Sequence, residues 1–495
     1  MHRRSFLLLI LATASAAFSP GSQSKTAPIV FKYEDFGPPA EVVSRERIDD
    51  LNLTLVTYSN GVHLTFRPSA SEPGVFRLRL VFPVNGSHVR NTATRVAIDS
   101  DTRLVPNPFV AKEAAEILFL GNLRRHSHEE IHALLVKRQI EPEISVDNGT
   151  PQLTLKGPAA GLPFALRLVT AWLSDPLTEG PEQPPLVTAW LSDPTGPERI
   201  PLDPSGLKFR LLPMNPARLC VLQALSEAAG RDSRLGRIGA ARTYITASDI
   251  TDWLDQHLLR CPLEVGIAGD IDIDDVVKDA ARNLGALAKR VPLPPQAPLI
   301  GPKKATRAQA TSNTFPETLS MSCLLWPLNK NETPKETAAI TVASAILRDA
   351  LVRITTDAFK KPIDPQTWIH RDAVQRDFGF VVMVNSFASP VAGPLTDAIL
   401  RTAVKFADVG VSEADFNRVR ANVRQRRVTE LTDNKWWLEN VLWAAHTHPQ
   451  VIEEAREHVS AIDALTATDV STAAKLFTPK LAAAVILTGG MADRK

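Results

Sequence analysis

At 495 residues with 44% apolar content, the chain is long enough for two or three separate cores, and its formal charge of +2, with acids and bases interspersed, gives no footing for a nucleic-acid partner. Three cysteines are too few for a disulfide scaffold. No stretch after the first residues reaches the roughly 18 uninterrupted apolar residues of a membrane span.

The opening MHRRSFLLLILATASAAFS has a basic start at Arg3 and Arg4, an apolar run from Phe6 to Leu11, and the small residues Ala14, Ser15 and Ala16. This predicts an export signal cleaved near Ala16 or Ala17, and hence a periplasmic or secreted protein. The paired arginines also admit the twin-arginine route, with ordinary secretion preferred. Residues 1–24 are assigned to this leader region. Residues 25–50, which lack periodicity, are assigned to an irregular segment wrapping the surface.

Leu53–Tyr58 and Val62–Phe66 read as strands joined by Ser59-Asn60-Gly61, a strong hairpin turn. Phe76–Phe82 alternates, with Arg77 and Arg79 expected on its solvent face. A short helix is expected over Lys112–Leu120, and a second one capped by Ser127 through Glu130, with Ile131, Leu134 and Leu135 buried. A hairpin turns at Asp147-Asn148-Gly149, and a helix follows from Leu162 to about Leu173. The nonapeptide LVTAWLSDP occurs at Leu168–Pro176 and again at Leu186–Pro194. The first copy is expected to be structural and the second a surface insertion.

One pattern recurs across the whole chain. Thr246 stands three residues before Asp249 and leads to a strand at Leu263–Gly269; Thr466 stands three before Asp469 and leads to a strand at Ala483–Gly489. Thr246/Thr466, Asp249/Asp469, Val265/Val485 and Gly269/Gly489 are all 220 residues apart. A single offset through cap, helix and strand predicts a duplicated unit, divided between 51–260 and 261–495 with latitude for the strand after 262. In the second half, Asp270 or Asp272 opens a helix, and Val291–Pro302 is a Pro-rich connection. Thr318–Trp326 and Phe378–Val384 read as strands. Thr333-Pro334-Lys335-Glu336 starts a helix to about Thr356, with Ile340, Ala343, Leu347, Ala350, Leu351 and Ile354 inward. Leu395–Phe406 reads as a helix, and Ser412 with Asp415 caps another whose arginines Arg418, Arg420, Arg424, Arg426 and Arg427 lie mostly outward. Cys220 and Cys261 either pair, if the compartment is oxidising, or stay buried free thiols, the default.

His128-Glu129-Glu130-Ile131-His132 is a literal H-E-x-x-H, in which two histidines four apart share a helix face and Glu129 can serve as general base for a zinc-bound water. Against a metal site, Ser127 as cap puts His128 at the first helical position, the flanking Arg124, Arg125 and His126 read as wet surface, and no third histidine follows at a suitable spacing. A charged helix start is the preferred reading. No phosphate-cradling loop or nucleophile elbow is present.

SNGVHLTFRP at Ser59–Pro68, LEVGIAGDID at Leu263–Asp272, the strand ending at Trp326, ELTDNKWWLENVL at Glu430–Leu442 (with Asn434, Trp437 and Leu438) and the closing LTATDVSTAAKLFTP occur in the order seen in pitrilysin/insulinase-type zinc peptidases. Over roughly Leu53–Gly490 the chain resembles the non-catalytic C-terminal half of two-half members of that family. The resemblance implies an α/β (α+β) fold of two tandem homologous pitrilysin-like domains, each a mostly antiparallel sheet with helices packed on one face. It also implies a catalytically inactive subunit, exported by the leader read above, that binds no zinc itself and forms a peptide chamber with a zinc-bearing pitrilysin-like partner. The family's zinc motif, H-x-x-E-H, is missing from this sequence. The family's substrate-facing Arg, followed seven residues later by Tyr, maps onto Arg353 and Lys360, with Phe359 beside it keeping the ring but not the hydroxyl. The alternatives are a free-standing peptide-binding scaffold, and an active zinc peptidase using His128, Glu129 and His132.

Overall fold

The structure is a computed structural model describing residues 29–83, 114–119, 121–147, 150–177, 216–230, 254, 258–292, 298–299, 301–302, 304–312, 316–329, 332–359, 363–372, 375–388 and 391–489. The leader, the second LVTAWLSDP copy and the Thr246–Asp249 cap lie outside these residues. No helix among those described is long and apolar enough to cross a membrane.

The first sheet has seven strands: β1 (Val42–Ile48), β2 (Leu53–Tyr58), β3 (Val62–Pro68), β4 (Val75–Val81), β5 (Glu141–Asp147), β6 (Thr150–Pro158) and β7 (Leu263–Gly269), in the spatial order β1-β2-β3-β7-β4-β6-β5. The second has β8 (Thr306–Ser312), β9 (Leu319–Pro327), β10 (Gln366–Arg371), β11 (Gly379–Ala388) and β12 (Ala483–Gly489), in the order β10-β11-β9-β12-β8. The two sheets share a topology. β7 runs parallel to β3 and antiparallel to β4, and β12 runs parallel to β8 and antiparallel to β9. The register matches as well: Val62 faces Leu263 at the start of one parallel ladder, and Thr306 faces Ala483 at the start of the other.

The strand at Leu263–Gly269 therefore completes the first sheet, although a division at 260/261 puts it in the second unit. The helix after it packs on the first core, so the sheets part in the Pro-rich connection beyond Arg290. Residues 25–50 are not simply irregular. Phe31 and Tyr33 are buried, and Val42–Ile48 pairs antiparallel with β2 as an edge strand with almost every residue exposed. The Asn60-Gly61 turn forms as expected, with Gly61 at φ +83°. Asn60 goes further: its side-chain amide donates to the carbonyls of Leu284, Gly285 and Leu287 at 2.9–3.1 Å, tying the hairpin to the end of the following helix.

The helices used below are α1 (His128–Lys137), α2 (Leu162–Ser174), α3 (Pro216–Ala228), α4 (Ile273–Arg282), α5 (Pro334–Phe359), α6 (Ala392–Val409), α7 (Glu413–Glu430), α8 (Asn434–Trp437, continued by a wider turn through Leu442), α9 (Gln450–Arg456) and α10 (Ala467–Ala474). Each begins where the sequence offers a cap or a proline. Reciprocal capping boxes form at Ser127/Glu130 and Thr466/Asp469, Asp272 caps α4, and Thr333 and Glu336 bond each other's backbone at the start of α5.

Helices cover both faces of each sheet rather than one. Helices α1, α2 and α4 lie on one face of the first sheet, around Leu64, Phe66, Phe76, Leu78 and Trp172. Its other face, with Leu53, Leu55, Val81 and Ala268, is covered from the second half by Trp437, Leu438, Val441 and Leu442. The second sheet is covered on one face by α5, α6 and α7 around Trp326, Leu347 and Phe477, and on the other by α3 from the first half, through Leu219, Cys220, Ala224 and Leu225. Each half thus sends a helix onto the outer face of the other half's sheet. Burying such a Leu or Trp contributes about 1.5–3 kcal/mol each, so neither sheet is complete alone.

Candidate functional site

The crossing segments leave a cleft of about 750 Å³ between the two sheets. Its walls come from β4 and β6 (Arg79, Gln152), from the edge strands β5 (Ser145) and β10 (Thr367–Arg371), and from the α5 stripe Thr337, Thr341 and Ser344. Arg426, Arg427 and Glu430 of α7 and the aromatics Trp436 and Trp443 complete it. The two edge strands that border it, β5 and β10, are the equivalent ends of the two sheets. Ion pairs run through it, Arg371–Glu332 at 2.6 Å and Arg376–Glu454 at 3.0 Å, and His458 Nε2 hydrogen-bonds Glu430 at 2.8 Å. Arg79 donates to Gln152 Oε1 at 2.5 Å and lies 4.0 Å from Glu439. Arg77 is held by Glu72 at 2.5 Å. The side chains of Arg77 and Arg79 are only 18% and 13% exposed, so they do not form a solvent face: the crossing segment has covered it.

Arg353 projects from α5 into a separate hollow of about 480 Å³, lined also by Arg348, Asp349, Val352, Ile363, Asp364 and Arg418. Its side chain is 61% exposed and its Nη1 is 3.9 Å from Asp415 Oδ1. Arg418 takes the closer hold, bonding Asp349 at 2.6 Å and Asp415 at 3.1 Å. Hydrogen bonds from Arg418 and Ser412, with the charge of Arg353, keep the Asp415 carboxyl below its usual range. Arg353 is thus a loosely held guanidinium at the surface, with reach to spare for a carbonyl or carboxylate. Phe359 ends α5; its side chain, and all of Lys360, lie outside the described residues. Ile354, expected inward, is 41% exposed, because the buried stripe of α5 turns instead through Leu351 and Thr355.

The H-E-x-x-H segment does not fit a zinc site. His128 occupies the first position of α1, His132 is exposed, and their ring centroids are 6.4 Å apart. Glu130 closes the cap of α1 and accepts from His126 Nδ1 at 2.8 Å. His126 is not wet surface. It is buried, stacked 5.3 Å from Phe31, and its Nε2 accepts from the Lys32 amide at 2.9 Å, which fixes the proton on Nδ1. Among the described residues no group of three or more His, Cys, Asp or Glu is placed to hold a metal ion.

Sequence reasoning missed a polar cluster where the halves meet. Glu264 of β7 is buried and accepts from His63 Nδ1 at 3.1 Å and from the Thr447 hydroxyl. His446 stacks on His63 at 4.6 Å, and burial pushes its pKa down. The one available signal was a Glu inside an otherwise apolar strand. Cys220 and Cys261 lie in different cores, Cys220 under α3 on the second sheet and Cys261 in the first core, so the geometry does not bring this pair together.

Residues 244–423 match the family model described as the peptidase M16 inactive domain. No curated protein matches the chain significantly. Among solved structures it is similar to a mutant of the ferredoxin protease FusC in complex with Arabidopsis ferredoxin, with TM-score 0.65 and 12% identity over 96% of this chain and 49% of that one. It is also similar to the periplasmic protease PqqL from Escherichia coli, with TM-score 0.59 and 15% identity over 96% and 49%. A peptidase M16 inactive domain from Pseudomonas fluorescens gives TM-score 0.66 and 14% identity over 90% of this chain and 100% of that one. The chain spans about half the length of the first two proteins, and at these identities the likeness establishes the fold. Over residues 244–423 the chain is thus related to the inactive domain of the pitrilysin/insulinase-type M16 peptidases, and as a whole it shares that domain's fold.

Proposed function

We propose that the chain is the exported, non-catalytic half of a pitrilysin-like peptidase, which closes a substrate chamber against a zinc-bearing partner and helps hold an extended peptide. The observation that carries this reading is the half-length match: nearly all of this chain lies on only 49% of two proteins named as proteases, and part of it matches an inactive domain. The sheet and register equivalence supports two homologous units from an internal duplication, divided in the connection around residues 291–302. The PqqL likeness and the leader sequence favour the periplasm or a secreted location.

In this reading the chain contributes no metal-bound water. Arg353, with Phe359 and Lys360 after it, faces the peptide, and its guanidinium steadies a substrate carbonyl as charge develops there. Lys360 in place of a tyrosine removes a hydroxyl, so positioning of the peptide outweighs help in the transition state. The test is to purify the chain from its native exported fraction and analyse metal. Co-purification with a second pitrilysin-like chain, and zinc confined to that chain, is expected. Recovery of the chain alone with one tightly bound zinc, lost on His132→Ala, contradicts the proposal.

A further inference from the structure

Two of the three cysteines share one compartment. Cys220 lies on the buried face of α3 and Cys323 in the middle of β9, both fully buried in the same cluster. Strand alternation sends Met321, Cys323 and Leu325 toward α3, and Leu324 and Trp326 to the opposite core. The Cys220 sulfur is 3.9 Å from the carbonyl oxygen of Val485, and Val485 is the residue paired with Cys323 across the β9–β12 ladder. The same sulfur also lies against the backbone amide of Cys323. We propose that Cys220 and Cys323 form a dithiol pair that an oxidising compartment closes into a disulfide, stapling the crossing helix of the first half to the sheet of the second.

The oxidant is a disulfide, carried by a protein or as glutathione disulfide. One cysteine thiolate attacks it and releases one thiol; the second cysteine then displaces the mixed disulfide and releases the other. Two cysteine protons leave, the protein sulfurs are oxidised, and the oxidant is reduced to two thiols. Burial pushes the Cys220 thiol up to about 12 and Cys323 well above its ordinary value, so neither is a nucleophile while α3 is seated. Exchange takes place during folding or when α3 lifts, and the closed bond is shielded from reductant. Cys261 stays in the first core, remote from both. The loop enclosed by residues 220 and 323 is long, a span at which cross-linking constrains the unfolded chain strongly.

The full chain is refolded in a glutathione/glutathione disulfide buffer, denatured without reductant, its free thiols counted, and its bridges mapped by mass spectrometry. One free thiol per chain, from Cys261, and a linked Cys220–Cys323 peptide two hydrogens lighter than its parts are expected. Amide exchange across α3 should slow about tenfold relative to reduced protein, and Cys261→Ala should keep the bridge and leave no free thiol. Three free thiols, or a Cys220–Cys261 bridge, overturn the proposal. Neither result bears on the peptidase-half reading.

Discussion

Gly266 is the residue on which the crossing of the two halves depends. A Cβ there would sit 2.8 Å from Leu442 Cβ and 3.2 Å from the Leu442 carbonyl carbon, so β7 accepts the incoming segment only because no side chain stands between them. Gly266→Ala is expected to destabilise the protein by about 1–3 kcal/mol, measured by urea unfolding, since the obstacle is partly backbone. Arg353→Ala, at an exposed position with one distant partner, should change stability by less than about 0.5 kcal/mol, so any loss in an activity assay reads on function. His446 and His458 give a pH signature. Burial lowers both pKa values, so below the ordinary histidine value of about 6.5 the unfolded chain binds protons that the folded chain refuses. Stability is therefore full above that pH and is lost as pH falls through it. The urea midpoint should drop between pH 7.5 and 5.5, and His446→Asn should flatten the slope; an unchanged slope would mean that this ring is not held neutral by burial.

At the scale of elements, caps and central strands were legible in the sequence and edges were not. The box at Thr466 forms as written, with the Thr466 amide on Asp469 at 2.9 Å, and Thr466→Ala should cost about 1 kcal/mol by the same urea measurement. Strands β2, β3, β4, β7, β9, β11 and β12 carry apolar runs that a buried strand requires. β1, β8 and β10 lie at sheet ends, and their sequences VVSRERI, TRAQATS and QTWIHR alternate too weakly to announce a strand, because an edge with a solvated face needs no apolar stripe. The fourth edge, β5, was readable through its Asp-Asn-Gly turn. Burial on a second face was the other thing hidden: Arg77, Arg79 and His126 have surface chemistry, and only chain brought from far away in the sequence covers them. Arg353 is proposed only through likeness to a family, whereas the cleft and the Glu264 cluster need both halves assembled before their parts come together.

At the scale of the whole molecule, reciprocal crossing makes the halves interdependent. Leu225→Ala lies in the first half but opens the second core, and should cost about 2–5 kcal/mol. Fragments divided near residue 295 should each expose an apolar face and fail to unfold cooperatively, while the intact chain gives a single transition by circular dichroism and fluorescence alike. Such an assembly suits a rigid wall, with equivalent edges bordering one cleft and a loosely held arginine on the surface. The most direct test is peptide cleavage by the purified chain, alone and mixed with the zinc-bearing partner proposed above, on an unfolded polypeptide. Background cleavage alone is expected, with restored or raised cleavage on mixing. Arg353→Ala should lower the mixed activity by roughly 10- to 1000-fold, toward the lower end given Lys360, with assembly intact. Chelator-sensitive turnover by the isolated chain, abolished by Glu129→Gln, would contradict it.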